Sequence, residues 1–410
     1  MIPRDISRAI REALGEYPVV SLTGARQTGK STLLRSMLPD WTYLSLEDPD
    51  LRALARDDPR DFLARHARHV ILDEAQRVPE LFSYLQTVVD QTGDAGQFVV
   101  SGSQNYLLLE QVSQSLAGRV ALVTMAPLTR AELLAARPGD LSAPEKGARL
   151  LDAVRNDRWA WVLYGGYPRL YDYGVHPARY FADYVRTYVD RDVREELRVL
   201  KLAEFERFMG LCAARAGELI NYSALASDAG VDVKTAKSWI SALSASNILF
   251  ELRPYSSNAN ARLVKSPKLY FMDTGLLCHL LGIDDTEALA AYAKRGNVFE
   301  NAVIAEYAKC VQSSRRRLHA SFYRTSGRDE EIDLVIERGL TPFAAFEVKS
   351  SATYNSKFFK NVSSVGEALD IPPERRGVIY NGDQVMVGGT RGLLITPDQI
   401  PGVVDESIFG

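Results

Sequence analysis

The chain has 410 residues, of which 46% are hydrophobic and 25% charged, with 49 basic and 52 acidic side chains and a net charge of −3. This length exceeds what one hydrophobic core usually organises, so we expect two or three domains. The near balance of charge excludes a chain-wide basic character, and any basic surface must be local. No apolar run approaches the roughly 18 residues of a membrane span, and no signal-peptide pattern opens the sequence. Because Cys212, Cys278 and Cys310 also lack a C-x-x-C spacing, we expect a cytoplasmic protein without a membrane partner and with buried, unpaired cysteines.

Short apolar runs alternate with helical patterns from the N-terminus to about residue 135. This alternation predicts an α/β fold with a parallel sheet that is covered by helices on both faces. The predicted strands are Val19–Thr23, Trp41–Leu46, Val70–Leu72, Phe98–Val100 and Val120–Met125.

A glycine-bounded loop follows the first predicted strand and enters a helical pattern at Lys30 and Ser31. The pattern G-x-x-x-x-G-K-[ST] is typical of a P-loop, whose backbone N–H groups point at the phosphates of a nucleotide. Lys30 is predicted to reach the β- and γ-phosphates and the Ser31 hydroxyl to ligate Mg²⁺. A purely structural glycine turn is the alternative. The predicted nucleotide-binding residues are Gly24, Ala25, Arg26, Gln27, Thr28, Gly29, Lys30, Ser31 and Thr32.

An Asp-Glu pair follows the apolar run Val70–Leu72. Asp73 is predicted to hold the Mg²⁺ beside Ser31, directly or through water, and Glu74 to polarise a water for in-line attack on the γ-phosphate. Alone, such a pair is equally consistent with a solvated strand end, but its place after a P-loop favours the functional interpretation. Since no Asn-Lys-x-Asp segment of the guanine-reading kind occurs, ATP is the predicted nucleotide.

Two further segments supply candidate catalytic residues. Ser103, Gln104 and Asn105 follow the strand at Phe98–Val100, at the sheet edge where open α/β sheets bind ligands. One of them is predicted to sense the γ-phosphate or hold the attacking water, with an ordinary polar turn as the equally weighted alternative. Arg119 precedes the last strand and is a candidate to reach a neighbouring subunit's nucleotide. A surface arginine at a helix end is the preferred alternative for Arg119.

The middle of the chain is predicted to form a helical lid or connector over residues 136–200 and a winged helix-turn-helix over residues 201–280. The Gly165–Pro168 segment interrupts the helical pattern of the first part, and Arg169 after it is a candidate lid residue that contacts phosphate. The second part predicts two helices that are separated by a turn at Gly230, with a β-ribbon at Ile248–Leu252 and Lys268–Phe271 as the wing. Its nucleic-acid candidates are Lys234, Thr235 and Lys237 near the start of the second helix. Winged helices also dock proteins, so DNA and protein partners both stay open.

The last part, residues 281–410, predicts a helix followed by β-rich segments. Glu300 on the helix and Asp333, Glu347 and Lys349 at strand positions look like the acids and the lysine of a PD-(D/E)xK nuclease, which has a restriction-endonuclease-like α/β fold. That chemistry needs Asp333 and Glu347 to hold one or two Mg²⁺ ions, with Lys349 activating the attacking water. A scaffold that retains the carboxylates for metal or nucleic-acid binding without cleavage is the alternative.

Two charged runs have simpler explanations. The densest basic run is formed by Arg315, Arg316 and Arg317. It could contact phosphates together with the nearby Arg324 and Arg328, but a solvated loop is the preferred interpretation. The run Asp190–Glu196 mixes signs at helical spacing, and intrahelical ion pairs explain it without a ligand.

In combination, these motifs resemble those of the bacterial and archaeal AAA-type ATPases that carry a C-terminal domain of unknown function (the DUF4143 type). The resemblance implies an AAA-like P-loop ATPase core over residues 1–135, a winged-helix region, a restriction-endonuclease-like end and a ring or transient self-oligomer. It is carried by the segments Leu22–Thr32, Ile71–Gln76, Ser101–Gln104, Leu116–Arg119, Gly165–Pro168, Asp190–Asp192 and Phe271–Leu276.

The predicted function is that of a Mg²⁺-dependent ATP-binding protein and slow ATPase. Its nucleotide state is expected to control the winged-helix and nuclease-like C-terminal half, which acts on nucleic acid, with double-stranded DNA as the candidate partner. Two alternatives stay open. One is an ATP-gated protein-interaction switch with a non-cleaving scaffold, and the other is an ATP-controlled nuclease.

Overall fold

The fold is that of a computed structural model, which describes residues 1–66, 68–102, 108, 112, 114–188, 202–256, 266–325, 330–387 and 391–409. The strands are β1 (Val19–Thr23), β2 (Thr42–Ser45), β3 (Val70–Asp73), β4 (Phe98–Ser101), β5 (Val120–Thr124), β6 (Leu249–Pro254), β7 (Lys268–Phe271), β8 (Leu318–Arg324), β9 (Glu331–Arg338), β10 (Thr341–Lys349), β11 (Arg376–Tyr380) and β12 (Leu393–Ile395).

Helices flank these strands and connect the two halves. They are α1 (Ile6–Glu16), α2 (Lys30–Met37), α3 (Pro49–Asp57), α4 (Pro59–Arg65), α5 (Leu81–Thr92), α6 (Arg130–Ala135), α7 (Pro144–Asn156), α8 (Arg158–Tyr164), α9 (Pro168–Tyr173), α10 (Pro177–Tyr188), α11 (Leu202–Ala213), α12 (Tyr222–Ala229), α13 (Val233–Ala245), α14 (Thr274–Leu280), α15 (Thr286–Ala291), α16 (Arg295–Ser314), α17 (Phe359–Ala368) and α18 (Ile400–Val404).

The N-terminal part is built on a five-stranded parallel sheet with the strand order β2-β3-β4-β1-β5. All four residues of β3 and all five of β1 are buried, because separate apolar clusters cover the two faces of the sheet. The predicted α/β class and the five predicted strands are therefore confirmed. In a parallel sheet, the carboxyl ends of all strands meet at one edge, which brings the segments after β1, β3 and β4 together.

The C-terminal part contains a seven-stranded mixed sheet with the order β12-β11-β10-β9-β8-β6-β7. β6 and β7 form the antiparallel ribbon that the sequence predicted as the wing of a winged helix. β6 also pairs with β8 through Arg253 with Ser321 and Pro254 with Phe322. The boundary predicted at residue 280 therefore does not separate two sheets, because the ribbon continues the sheet of the last segment.

The predicted helix-turn-helix corresponds to α12 and α13, which are separated by a left-handed Gly230. Ala236, Trp239, Ile240 and Leu243 face the core, as the helical spacing predicts. Whether the segment is a winged helix, and whether the last segment is nuclease-like, both stay predictions.

Two motifs that carry the family resemblance pack against each other. The carboxylate of Asp273 accepts a 2.7 Å hydrogen bond from the Gly166 N–H and caps α14 through the Leu276 N–H at 3.1 Å. A Cβ on Gly165 would lie 2.3 Å from Asp273 Oδ1, and Gly165 has a left-handed φ of +67°. Only glycine fits there, and through this contact the Gly165–Pro168 turn joins the segment predicted as a lid to the start of α14.

The three cysteines are buried and unpaired, as predicted. In the part of the chain that the structure describes, no helix is both long and apolar enough to cross a membrane.

Candidate functional site

The P-loop begins where β1 ends. Gly24 has a φ of +141°, and a Cβ there would lie 2.2 Å from the carbonyl oxygen of Met125, so the turn needs glycine. Gly29 has a φ of +93° and precedes the first residue of α2. The loop therefore ends on a helix N-terminus, where unpaired backbone N–H groups favour a phosphate.

Lys30 places its positive charge over this loop. The side chain is 7% exposed, and Nζ donates hydrogen bonds of 2.9 Å to the carbonyl oxygens of Gly24 and Ala25. The ammonium group and the helix N-terminus thus share one small volume. Together they make a site for a strongly anionic group.

Asp73, the last residue of β3, meets the P-loop at the carboxyl edge of the sheet. Its Oδ2 accepts a 2.8 Å hydrogen bond from Ser31 Oγ and a bond from the Tyr43 hydroxyl, and its Oδ1 accepts a 2.5 Å bond from Ser101 Oγ. Burial and the bond to Asp73 raise the pKa of Tyr43. These donors are neutral, so they orient the Asp73 carboxylate without cancelling its charge.

Glu74 faces the same cavity as the loop. The cavity measures about 400 Å³. Glu74 has a left-handed φ of +53°, which is uncommon outside functional sites and turns, and its Oε2 accepts a 2.5 Å hydrogen bond from Gln76 Nε2. The cavity is lined by Arg26, Gln27, Gly29, Lys30, Ser31, Thr32, Glu74 and Thr187.

A second cavity of about 480 Å³ lies on the other flank of the loop and shares Gln27, Gly29 and Thr32 with the first. Its walls come from the chain's first residues and from the lid segment, including Ile2, Arg4 and Arg169. Sequence reasoning proposed Arg169 but missed the N-terminal residues, because nothing in a short non-repetitive segment signals that it folds back onto a P-loop.

Arg119, another predicted catalytic residue, is not brought to the loop. Arg119 lies at the opposite edge of the sheet, since its carbonyl accepts from the N–H of Val19 at the start of β1. Its guanidinium forms an ion pair with Asp90 at 2.5 Å and lowers the pKa of that carboxyl. A role of Arg119 in a neighbouring subunit stays a prediction. Ser103 and Gln104, together with Asn105, Arg328 and the run 190–196, lie outside the described residues.

The nuclease-like residues do converge, around a residue that the sequence analysis did not select. Lys268 Nζ, from β7, lies 3.0 Å from Glu300 Oε1, 2.5 Å from Glu331 Oε1 and 3.9 Å from Asp333 Oδ1. The Tyr270 hydroxyl also donates to Glu300 at 2.6 Å. Among the described residues, no group of three or more His, Cys, Asp or Glu side chains is arranged to hold a metal ion.

The second half of this acidic cluster involves Glu347 and Lys349, whose side chains form a 2.5 Å ion pair. Asp333 Oδ2 accepts a 2.8 Å bond from the backbone N–H of Val348. Burial and the neighbouring Asp333 raise the pKa of Glu300 and of Glu347 to about 7. We call Lys268, Glu300, Glu331, Asp333, Glu347 and Lys349 the C-terminal acidic cluster.

The nucleic-acid candidates lie at the start of α13. Lys234 and Lys237 are exposed, whereas Thr235 is partly buried and both its N–H and its hydroxyl bond to the capping Asp232 at 2.8 Å. In the basic run, Arg315 pairs with Glu16 at 2.9 Å and Arg316 pairs with Glu406 at 2.8 Å. These exposed ion pairs account for two of its three arginines without a ligand.

Comparison with known proteins identifies the class of the N-terminal part. Residues 16–134 match the family described as AAA domain, residues 155–287 match a domain of unknown function (DUF8612), and residues 295–396 match another (DUF4143). The first match covers the P-loop and Asp73, so this part is a nucleotide-binding P-loop module of the AAA type.

Two curated proteins are similar over nearly the whole chain. The uncharacterized proteins Rv2008c of Mycobacterium tuberculosis and Mb2031c of Mycobacterium bovis are each 31% identical to it over 411 aligned positions, which is 98% of this chain and 86% of theirs. The chain belongs with them to the family of AAA-type ATPases that carry a C-terminal DUF4143 domain.

Solved structures show weaker likeness. The alignment with the Walker-type ATPase PABY2304 of Pyrococcus abyssi covers 68% of this chain and 96% of that protein, with 17% identity and a TM-score of 0.44. The alignment with AMPPCP-bound DnaA from Aquifex aeolicus covers 58% of this chain and 85% of that protein, with 16% identity and a TM-score of 0.28. These scores are too low to support a functional argument, so the family assignment depends on the sequence matches.

Proposed function

We propose that this protein binds ATP with Mg²⁺ at the P-loop and hydrolyses it, and that the bound nucleotide controls the C-terminal half. One observation carries the proposal. The Ser31 hydroxyl lies 2.8 Å from the Asp73 carboxylate, and Ser31 lines the same cavity as Lys30 and Glu74. A phosphate-binding loop, an acid for a cation and an acid for a water therefore lie together.

The residues at this point suit Mg²⁺. A carboxylate and a hydroxyl are hard oxygen donors of the kind that Mg²⁺ takes, and Asp73 and Ser31 would hold it. When bound, the ion neutralises part of the phosphate charge. Lys30 would contact the β- and γ-phosphates, and Glu74, oriented by Gln76, would accept a proton from the attacking water.

The second cavity suits the nucleoside. It adjoins the loop through Gln27, Gly29 and Thr32, and the lid and the N-terminal segment supply its other walls. Base and ribose in this cavity would leave the phosphates over the loop. Arg169, which stacks on Tyr173 at 5.1 Å, would follow the lid as it closes on the nucleotide.

A chain of buried contacts supports control of the C-terminal half. Arg4 donates to the carbonyl oxygen of Thr28 in the P-loop at 2.9 Å and pairs with Glu132 at 3.1 Å. Glu132 lies on helix α6, which begins at Arg130. The backbone N–H of Arg130 donates a hydrogen bond to Glu306 at 2.6 Å, and its guanidinium donates one to Asp398 at 2.5 Å. Movement of the loop on nucleotide binding would be transmitted through α6 to α16.

Two variants separate binding from chemistry. Lys30→Ala removes the phosphate contact and should weaken ATP binding by about a hundredfold or more. Glu74→Gln keeps the loop and should bind ATP as the parent does, but turn it over about a hundredfold more slowly. Calorimetric titration with ATP and steady-state phosphate release measure the two quantities.

The control is Lys360→Ala, which removes an exposed lysine from α17 and should change neither quantity. If Lys30→Ala and Glu74→Gln both hydrolyse ATP at the parental rate, the assigned roles are wrong. If the parent gives no binding heat with ATP and Mg²⁺, the proposal as a whole is wrong.

A second candidate function is action on duplex DNA, favoured by the two exposed lysines at the start of α13. Lys234→Ala with Lys237→Ala should weaken duplex binding and lower the slope of log affinity against log salt by about one for each phosphate that the protein no longer neutralises. Lys360→Ala again serves as the control. Unchanged affinity and slope would favour the ATP-gated protein-interaction switch, which a pull-down from lysate with parent and Lys30→Ala protein, with and without ATP, would examine.

A further inference from the structure

The C-terminal acidic cluster holds a cation that belongs to the chain itself. Lys268 reaches into the space between α16 and β9, and its side chain is 5% exposed. Its Nζ lies within 4 Å of oxygen atoms from three carboxylates on two different elements, at 3.0 Å for Glu300, 2.5 Å for Glu331 and 3.9 Å for Asp333. This is the place where acids contributed by a helix and a strand would converge on a metal ion.

An ammonium group at this position does the electrostatic work of a bound cation. It has three N–H donors and a fixed positive charge, and it meets three acceptors that would otherwise repel one another in a poorly solvated space. A divalent ion at the same point would lie against the ammonium, and like charges repel strongly where water is excluded. A metal could enter only after Lys268 had left.

Asp333 and Glu347, the two acids that nuclease chemistry would use to hold a metal ion, are largely engaged by other groups. Asp333 Oδ2 is held by the Val348 N–H, and Glu347 Oε1 is held by Lys349. Glu347 Oε2 is buried without a hydrogen-bond partner among the described residues. Mg²⁺ keeps several waters among its ligands, and this oxygen is shielded from solvent.

We propose that Lys268 occupies the cation position of the C-terminal acidic cluster, so that an ammonium group of the chain itself, and not a metal ion, holds the acids of this nuclease-like site together. The acids then stabilise the folded domain through their ion pairs with Lys268, and the domain does not cleave phosphodiesters with a divalent ion at this position. This inference does not depend on ATP hydrolysis, since none of the residues involved contacts the P-loop.

The test counts Mn²⁺ ions bound by the nucleotide-free protein, measured by electron paramagnetic resonance. The background carries Asp73→Asn, so that the P-loop site lacks the carboxylate that would hold a metal ion. With Lys268 in place, we expect no Mn²⁺ bound at millimolar concentration. Lys268→Met, which keeps the length of the side chain and removes its charge, should create one Mn²⁺ site per chain and a thermal midpoint that rises with Mn²⁺. Adding Glu300→Gln should weaken that site about tenfold or more.

Lys268→Arg is the matched control, because it retains the charge and should bind no Mn²⁺. The proposal is wrong if the Lys268-containing background binds one Mn²⁺ that Glu300→Gln removes, since the metal would then displace the lysine. It is also wrong if a folded Lys268→Met protein gains no site. Should Lys268→Met not fold, the Asp73→Asn background with and without Glu300→Gln still decides the question.

Discussion

Asp73 and Asp333 are both carboxylates on buried strands, but their surroundings differ in one respect. Asp73 accepts hydrogen bonds from the hydroxyls of Ser31, Tyr43 and Ser101, which are all neutral. Asp333 belongs to a cluster with a buried ammonium group at its centre. The hydroxyl partners of Asp73 leave the place of a cation to an external ion, whereas an ammonium group of the chain already holds that place in the second site.

The comparison teaches that the residue types at a site do not by themselves identify a metal centre. A strand-end acid with hydroxyl neighbours and a strand acid with a lysine neighbour look alike in sequence, yet they differ in whether a cation of the chain already occupies the place of a metal ion. The predictions below change one of the two environments at a time.

The largest effect is expected for removal of the internal cation. Lys268→Met leaves three partly or fully buried acids without their counter-charge, and breaking such a buried pair should lower the free energy of unfolding by about 3–5 kcal/mol at neutral pH. Urea unfolding of parent and variant measures the difference. Adding Glu300→Gln to Lys268→Met should recover part of the loss, and a variant as stable as the parent would refute the proposed role of Lys268.

The corresponding change at the P-loop is the removal of the Asp73 charge, which should slow ATP turnover strongly and leave the fold intact. Asp73→Asn removes the charge that would hold Mg²⁺ and should slow ATP turnover by about 10²–10³-fold, or about 3–4 kcal/mol. The asparagine carbonyl oxygen can still accept from Ser31 and Tyr43, and its amide N–H can donate to the Ser101 hydroxyl, so the thermal midpoint should move little. Phosphate release measured across a range of Mg²⁺ concentrations makes the comparison, and an unchanged rate would exclude Asp73 as a metal ligand.

The junction of the two halves supplies a pH-dependent prediction. Burial raises the pKa of Glu306, which accepts the Arg130 N–H, to about 7. The folded protein therefore holds this proton up to about pH 7, whereas the unfolded chain releases it near pH 4.5. Because the folded state binds the extra proton, this group's contribution to stability is complete below pH 4.5 and is lost as pH rises to 7.

Glu306→Gln should flatten that dependence, since glutamine does not titrate. The stability of the parent relative to Glu306→Gln should fall by roughly 2–3 kcal/mol between pH 5 and pH 8. Thermal unfolding at several pH values follows the difference. Parallel pH profiles would show that Glu306 does not carry a raised pKa in the folded protein.

The smallest effect is expected when a single hydroxyl donor to Asp73 is removed. Tyr43→Phe should cost about 1–2 kcal/mol of stability and reduce ATP turnover by less than about tenfold, because Ser31 and Ser101 still orient the carboxylate. Tyr84→Phe, on the exposed face of α5, is the matched control. A reduction of turnover as large as that of Asp73→Asn would mean that Tyr43 has a more direct role than orientation.

The nucleotide site was largely predictable because its signals are local. The P-loop lies within the nine residues from Gly24 to Thr32, and Asp73 follows a short, fully buried strand. Parallel strands bring such ends together by geometry alone. Tyr43 and Gln76 were missed because their positions depend on strand register and on a tight turn after Glu74.

The acidic cluster was predictable only in part. Glu300, Asp333 and Glu347 were selected from an acid-and-lysine spacing, but Lys268 lies 32 residues before Glu300 in a strand that was predicted as part of a separate wing. Its contact with the acids follows from the continuation of the sheet through β6 and β8. Long-range strand pairing of this kind is not encoded in local hydrophobic pattern.

The central claim is that one carboxylate site accepts a metal with nucleotide and the other accepts none. The most direct measurement is the number of Mn²⁺ ions bound per chain with and without ATP, in the parent and in Glu300→Gln. We expect one ion in the presence of ATP and none in its absence, with the same counts in both proteins. An ion that binds the parent without ATP and is absent from Glu300→Gln would contradict the account.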